Sequence, residues 1–110
     1  MVDFNADAIL LKRVDGAWIE EKVFLKNVES IRQIFDPFRE DIEQVNISKY
    51  KKIYYSIGNL VDGIDATVSD MNDDRHYMVS PLLLVQCDDA KPVSISDEML
   101  KEIKDAIDFH

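Results

Sequence analysis

Two Asp-Gly pairs, Asp15-Gly16 and Asp62-Gly63, each stand between stretches in which apolar and polar residues alternate. Alternation with period two puts every second side chain on one face of a strand. Asp-Gly supplies the two positive-φ residues that a type I′ hairpin turn requires. Residues 8–14 and 17–25 therefore read as one hairpin. In its second arm Ala17, Ile19, Val23 and Leu25 alternate with Trp18, Glu20, Lys22 and Phe24, and Glu21 interrupts the apolar side. A second hairpin is expected between residues 52–61 and 64–69, with Ile53, Tyr55 and Ile57 on one face and Ile64, Ala66 and Val68 sharing a face of the return arm. A fifth strand, residues 76–87, contains Leu82, Leu83, Leu84 and Val85, a run that predicts a centre buried on both faces. Pro81 lies inside that strand, so it must occupy a bulge, a bend or a place where its missing N–H does no harm.

Elsewhere the apolar spacing is helical. Asn27 can cap a helix carrying Val28, Ile31, Ile34 and Phe35 on one stripe, and Pro37 should end it near Asp36. Residues 38–47 fit two patterns: a helix opened by Asp36-Pro37 that holds Phe38, Ile42 and Val45, or a short strand over 42–47. The helix is the preferred reading. Near the C-terminus Ser96 caps a third helix. Asp97 and Glu98 there complement its dipole, and Met99, Leu100, Ile103 and Ile107 form the buried stripe. The order β-β-α-(α)-β-β-β-α predicts an α+β fold. It is one domain over 1–110, an antiparallel sheet of about five strands with two or three helices packed on one face.

Composition adds a class and a compartment. Apolar residues make up 46% of the chain, with only three Gly and three Pro, so a packed core is expected despite 32% charged residues. No apolar run is long enough for a membrane span or an export signal, and the single cysteine, Cys87, cannot staple the fold. A soluble, reduced, cytoplasmic protein is the expectation.

Charge changes the picture more. Residues 1–55 hold 10 Asp plus Glu against 9 Lys plus Arg, a net of −1, and residues 56–110 hold 12 against 4, a net of −8. A field of that sign repels nucleic acid and anionic membrane and draws basic proteins. The expected role is a small non-enzymatic binding protein of the inhibitor or immunity type, including DNA-mimic inhibitors, acting on a basic partner. Its contacts are assigned to Asp62, Asp65, Asp70, Asp73, Asp74, Asp88 and Asp89, with Trp18 and Phe24 as aromatic anchors on one strand face. Two alternatives stand beside it: a self-associating accessory subunit that uses a sheet edge or the Trp18 face, and a cation-dependent regulator or enzyme.

The cation reading rests on the loop from Asp70 to His76. An EF-hand counted from Asp70 needs Gly and Glu where Arg75 and Pro81 stand, so loop chemistry is the simpler account and no metal or other cofactor is assigned. Cys87 with His76 or His110 lacks any nucleophile context, and no catalytic residue is assigned. The basic-aromatic stretch 49–55 resembles single-strand nucleic-acid grooves in composition, but the overall charge opposes that function. Tyrosines that favour strands and lysines that keep a strand edge soluble are the preferred account.

Overall fold

The computed structural model describes residues 2–35, 41–56 and 63–110. Strands β1 (Ala6–Val14) and β2 (Ala17–Leu25) form the first hairpin in continuous register, from Val14 opposite Ala17 to Ala6 opposite Leu25. Its turn residues Asp15 and Gly16 have φ of 52° and 81°, as a type I′ turn requires. Helix α1 (Val28–Phe35) starts at Asn27, whose Oδ1 accepts from the Glu29 N–H at 3.0 Å. Then come β3 (Ile42–Ser48), β4 (Lys51–Ser56), β5 (Ala66–Ser69) and the long β6 (Arg75–Asp88). The chain ends in β7 (Lys91–Val93), α2 (Asp97–Ala106) and β8 (Ile107–Phe109). The Ser96 Oγ accepts from the Met99 N–H at 3.1 Å and caps α2.

β6 organises the molecule. Its C-terminal half lies between β1 and β4, with Leu84 opposite Ile9 on one side and Ile53 on the other, and its last residues pair with β7. Its N-terminal half pairs instead with β5, which carries β8 on its far edge. The main path is β2-β1-β6-β4-β3, antiparallel throughout. Pro81, preceded by a cis peptide, sits where β6 passes between these sets of neighbours. There the β4 pairing jumps from Tyr54–Leu83 to Ser56–Val79. The absent N–H thus falls at a bulge.

Leu82, Leu83, Leu84 and Val85 are all buried, because successive residues feed opposite faces. Leu82 and Leu84 join Leu11, Ile53, Met78 and Ile103 in one core, and Leu83 and Val85 join Leu10, Leu25, Ile31 and Phe35 in the other. Ile103 belongs to α2, and Ile31 and Phe35 belong to α1. The helices therefore cover opposite faces of the sheet. Each buried Leu or Ile contributes roughly 1.5–3 kcal/mol, so neither face tolerates exposure.

The α+β class holds, while finer expectations are corrected. The helices do not share one face, because β1 and β6 are apolar on both sides and each side needs a cover. The five-strand main path accords with the expected sheet of about five; with β5, β7 and β8 the described residues hold eight strands, and β7 and β8, three residues each, carry almost no pattern. Residues 42–48 form a strand, not a helix: Val45 lies opposite Ile53, and pairing along β4 outweighs a spacing compatible with either form. Phe38 lies outside the described residues.

Among the described residues β4 and β5 each run antiparallel to β6 and do not pair with each other, against the expected pairing of 52–61 with 64–69. Ile64 stays exposed outside β5, Asp62 and Ile57 lie outside the described residues, and Gly63 keeps a positive φ of 104°. Ile107 leaves the helical stripe to open β8, where it pairs with Val68.

Candidate site at the acidic turns

The turn between β5 and β6 is built around one carboxylate. Asp70 Oδ1 accepts from the backbone N–H groups of Asn72 (2.8 Å) and Asp74 (3.0 Å), and Oδ2 lies 2.7 Å from His76 Nε2. The backbone closes the same turn, with Asp70 N donating to Asp74 O and Asp73 N donating to Asp70 O. Asp73 occupies the left-handed region at φ 63°, which Asp tolerates better than most residues. These bonds hold the Asp70 carboxyl below the usual range. The His76 bond is the chief cause, and the two amides add to it against partial desolvation. Asp70 is thus a structural carboxylate, and its neighbours Asp73 and Asp74 are left pointing at solvent.

The turn between β6 and β7 carries Asp88 and Asp89, both exposed, with Asp89 and Ala90 at φ of 51° and 65°. Among the described residues no ion pair involves Asp73, Asp74, Asp88 or Asp89. The β3–β4 hairpin links the two turns: Met71 N donates to Asn46 O at 3.0 Å, and Cys87 N donates to Tyr50 O at 2.8 Å. Between them Lys49 lies over the Tyr50 ring and Lys52 over the Tyr54 ring, each at 5.8 Å, while Lys51 reaches Glu102 at 3.8 Å. The basic-aromatic stretch is therefore used within the fold.

Asp65 is separate from these turns. Its Oδ2 accepts from Ser80 N at 2.9 Å and its Oδ1 lies 3.8 Å from Arg13, so its charge is partly matched by the first hairpin. Register places Trp18 and Phe24 on the same face of β2, but they fare differently. Trp18 is half-buried, its ring edge-on to Phe109 with centroids 5.0 Å apart and Arg13 5.9 Å from its centre. Phe24 is 60% exposed. Two further exposed apolar side chains stand beside the β5–β6 turn, Met71 at 60% and Tyr77 at 52%. A methionine amid Asn and Asp is the sequence signal for the first.

No group of three or more His, Cys, Asp or Glu side chains suited to a cation is present among the described residues. Asp70 is already engaged by three donors. Cys87 is buried, and desolvation raises its thiol pKa, with Lys52 opposing weakly. A groove of about 750 Å³ between α1 and β3, lined by Val28, Arg32, Ile42 and Tyr54 among others, holds none of the sequence-assigned contacts. No helix among the described residues is long and apolar enough to cross a membrane. Comparison with protein-family models, with curated proteins and with solved structures gives no match.

Proposed function

We propose that the protein is a small binding module, of the inhibitor or immunity type, that docks a basic protein partner through its acidic turns. The observation that supports this reading is the pair of exposed turns, Asp73-Asp74 and Asp88-Asp89, whose carboxylates have no ion-pair partner within the described fold. Most lysines and arginines of the first hairpin and of α2 are spent on other acids: Lys12 on Glu21, Lys22 on Asp7, Lys104 on Glu20. Unmatched carboxylates of this kind steer a cationic surface and orient it on approach. Met71 and Tyr77 beside the first turn supply apolar contact area where charge alone holds a complex poorly.

The test compares the wild type with the quadruple variant Asp73→Asn, Asp74→Asn, Asp88→Asn and Asp89→Asn. Immobilised wild type should retain basic proteins from a native lysate at low salt and release them at high salt. With a retained protein in hand, the variant should associate about tenfold more slowly or worse, with a flatter salt dependence. Equal capture and equal rates for both proteins would overturn the reading.

A further inference from the structure

β2 is a nine-residue edge strand that, among the described residues, pairs with β1 alone. It contains no Pro, no Gly and no bulge. Which of its residues face the open edge follows from the hairpin. A two-residue turn makes Val14 and Ala17 a hydrogen-bonded pair, and bonded and non-bonded pairs then alternate. Ile19, Glu21, Val23 and Leu25 thus direct their N–H and C=O groups to β1, and Trp18, Glu20, Lys22 and Phe24 direct theirs outward. The partners across the hairpin agree. Asp7, opposite Phe24, gives its N–H to Ser94 Oγ at 2.9 Å, and Arg13, opposite Trp18, gives its own to Ser80 Oγ at 2.9 Å. Both amides point away from β2.

We propose that this edge pairs antiparallel with β2 of a second copy about a two-fold axis through Glu21, forming a homodimer with one continuous sheet. The sequence Ala-Trp-Ile-Glu-Glu-Lys-Val-Phe-Leu is self-complementary about that residue. Glu20 falls opposite Lys22 of the second copy, twice by symmetry. Trp18 falls opposite Phe24, which is 60% exposed in the monomer. On the other face Ile19, 49% exposed, falls opposite Val23. The two Glu21 side chains meet at the axis as like charges, a cost offset by each one's own Lys12 at 2.7 Å and by the two Glu20–Lys22 pairs beside it.

Neighbouring two-fold registers lose this fit. An axis at Glu20 sets Lys22 against Trp18 and one at Lys22 sets Glu20 against Phe24, so either shift loses both Glu20–Lys22 pairs. Glu20 is held by Lys104 at 2.5 Å and Lys22 by Asp7 at 3.9 Å, both as partly exposed surface pairs that a facing strand can share. This dimer is independent of the acidic turns, since β2 carries none of the four unmatched turn aspartates.

Sedimentation from micromolar to near-millimolar protein reads the dimer directly, and the wild type should show a concentration-dependent dimer. Lys22→Glu alone and Glu20→Lys alone should each weaken it about tenfold or more, because like charges then face each other twice. Mixing the two variants should restore it as a heterodimer, with circular dichroism confirming that both fold. A register test uses Glu21→Cys, where a non-bonded antiparallel pair brings Cβ atoms within disulfide reach, against Glu20→Cys and Lys22→Cys. Rapid linking confined to the first supports the axis. A monomeric wild type at the highest concentration, a dimer indifferent to Lys22→Glu, or equal linking at all three positions would overturn the proposal.

Discussion

Asp70 shows how one carboxylate turns a polar loop into a defined structure. Two backbone N–H groups and His76 converge on it, and their bonds favour the ionised form, so its pKa falls below the ordinary value of 3.8. For a group whose folded pKa is depressed, the stabilisation is complete above the unfolded pKa and disappears as pH falls through the folded one. Thermal melts should therefore show a loss of stability below about pH 4 that is shallower in the Asp70→Asn variant, which cannot titrate there. An acid limb of identical slope in both proteins would remove this role. Cys87 gives the opposite case: burial raises its thiol pKa, so thiolate is scarce and shielded. Labelling by a thiol reagent at pH 8 should be slow in the native protein and fast in denaturant. Both side chains were visible in the sequence, but their partners were not. Asp70 stood out as one acid among several, and only the turn geometry separates it from Asp73 and Asp74.

At the scale of elements, local signals and pairing signals part company. The first hairpin, α1 and α2 were legible because their information is local: Asp15-Gly16 fixes a turn, and Asn27 and Ser96 satisfy helix N–H groups within three residues. Replacing Ser96 by Ala removes the bond to Met99 N and should cost about 1 kcal/mol in urea unfolding. The other elements depend on distant neighbours. Residues 42–48 carry a spacing open to helix or strand, and β4 decides it by lining up along them. The Asp62-Gly63 pair matched a hairpin signal, yet β6 takes both flanking strands as its own neighbours. Since β6 feeds both cores, Leu84→Ala should destabilise by about 2–5 kcal/mol. Ile31→Ala and Ile103→Ala, one in each core, should add nearly independently, because no core contact is shared between them.

At the scale of the whole molecule the charge asymmetry keeps its meaning but loses its simple form. The acids of the second half do not act as one set: Asp65 is tied to Arg13 and Ser80, Asp70 to its own turn, and Asp108 to Arg75. Among the described residues of that half, Asp73, Asp74, Asp88 and Asp89 stay unmatched in two turns joined through the β3–β4 hairpin, and Asp97, Glu98 and Asp105 stay unmatched on α2. Raising salt to 1 M should therefore leave the fold almost unchanged while abolishing capture of a basic partner, since surface pairs contribute little to stability and long-range steering is screened. A melting temperature that collapses at high salt would show that the charges hold the fold instead. The sequence by itself determined the α+β class, the first hairpin, the two capped helices and the doubly buried run in β6, because those follow from turn chemistry, capping and hydrophobic period within a few residues. Only the tertiary structure decided that the helices take opposite faces, that β6 serves two sets of partners, that Asp65, Asp70 and Asp108 are engaged within the fold while the turn aspartates are not, and that among the described residues β2 pairs with β1 alone. Those outcomes depend on which segments bury each other's surface, a competition among distant pairs that no local spacing encodes.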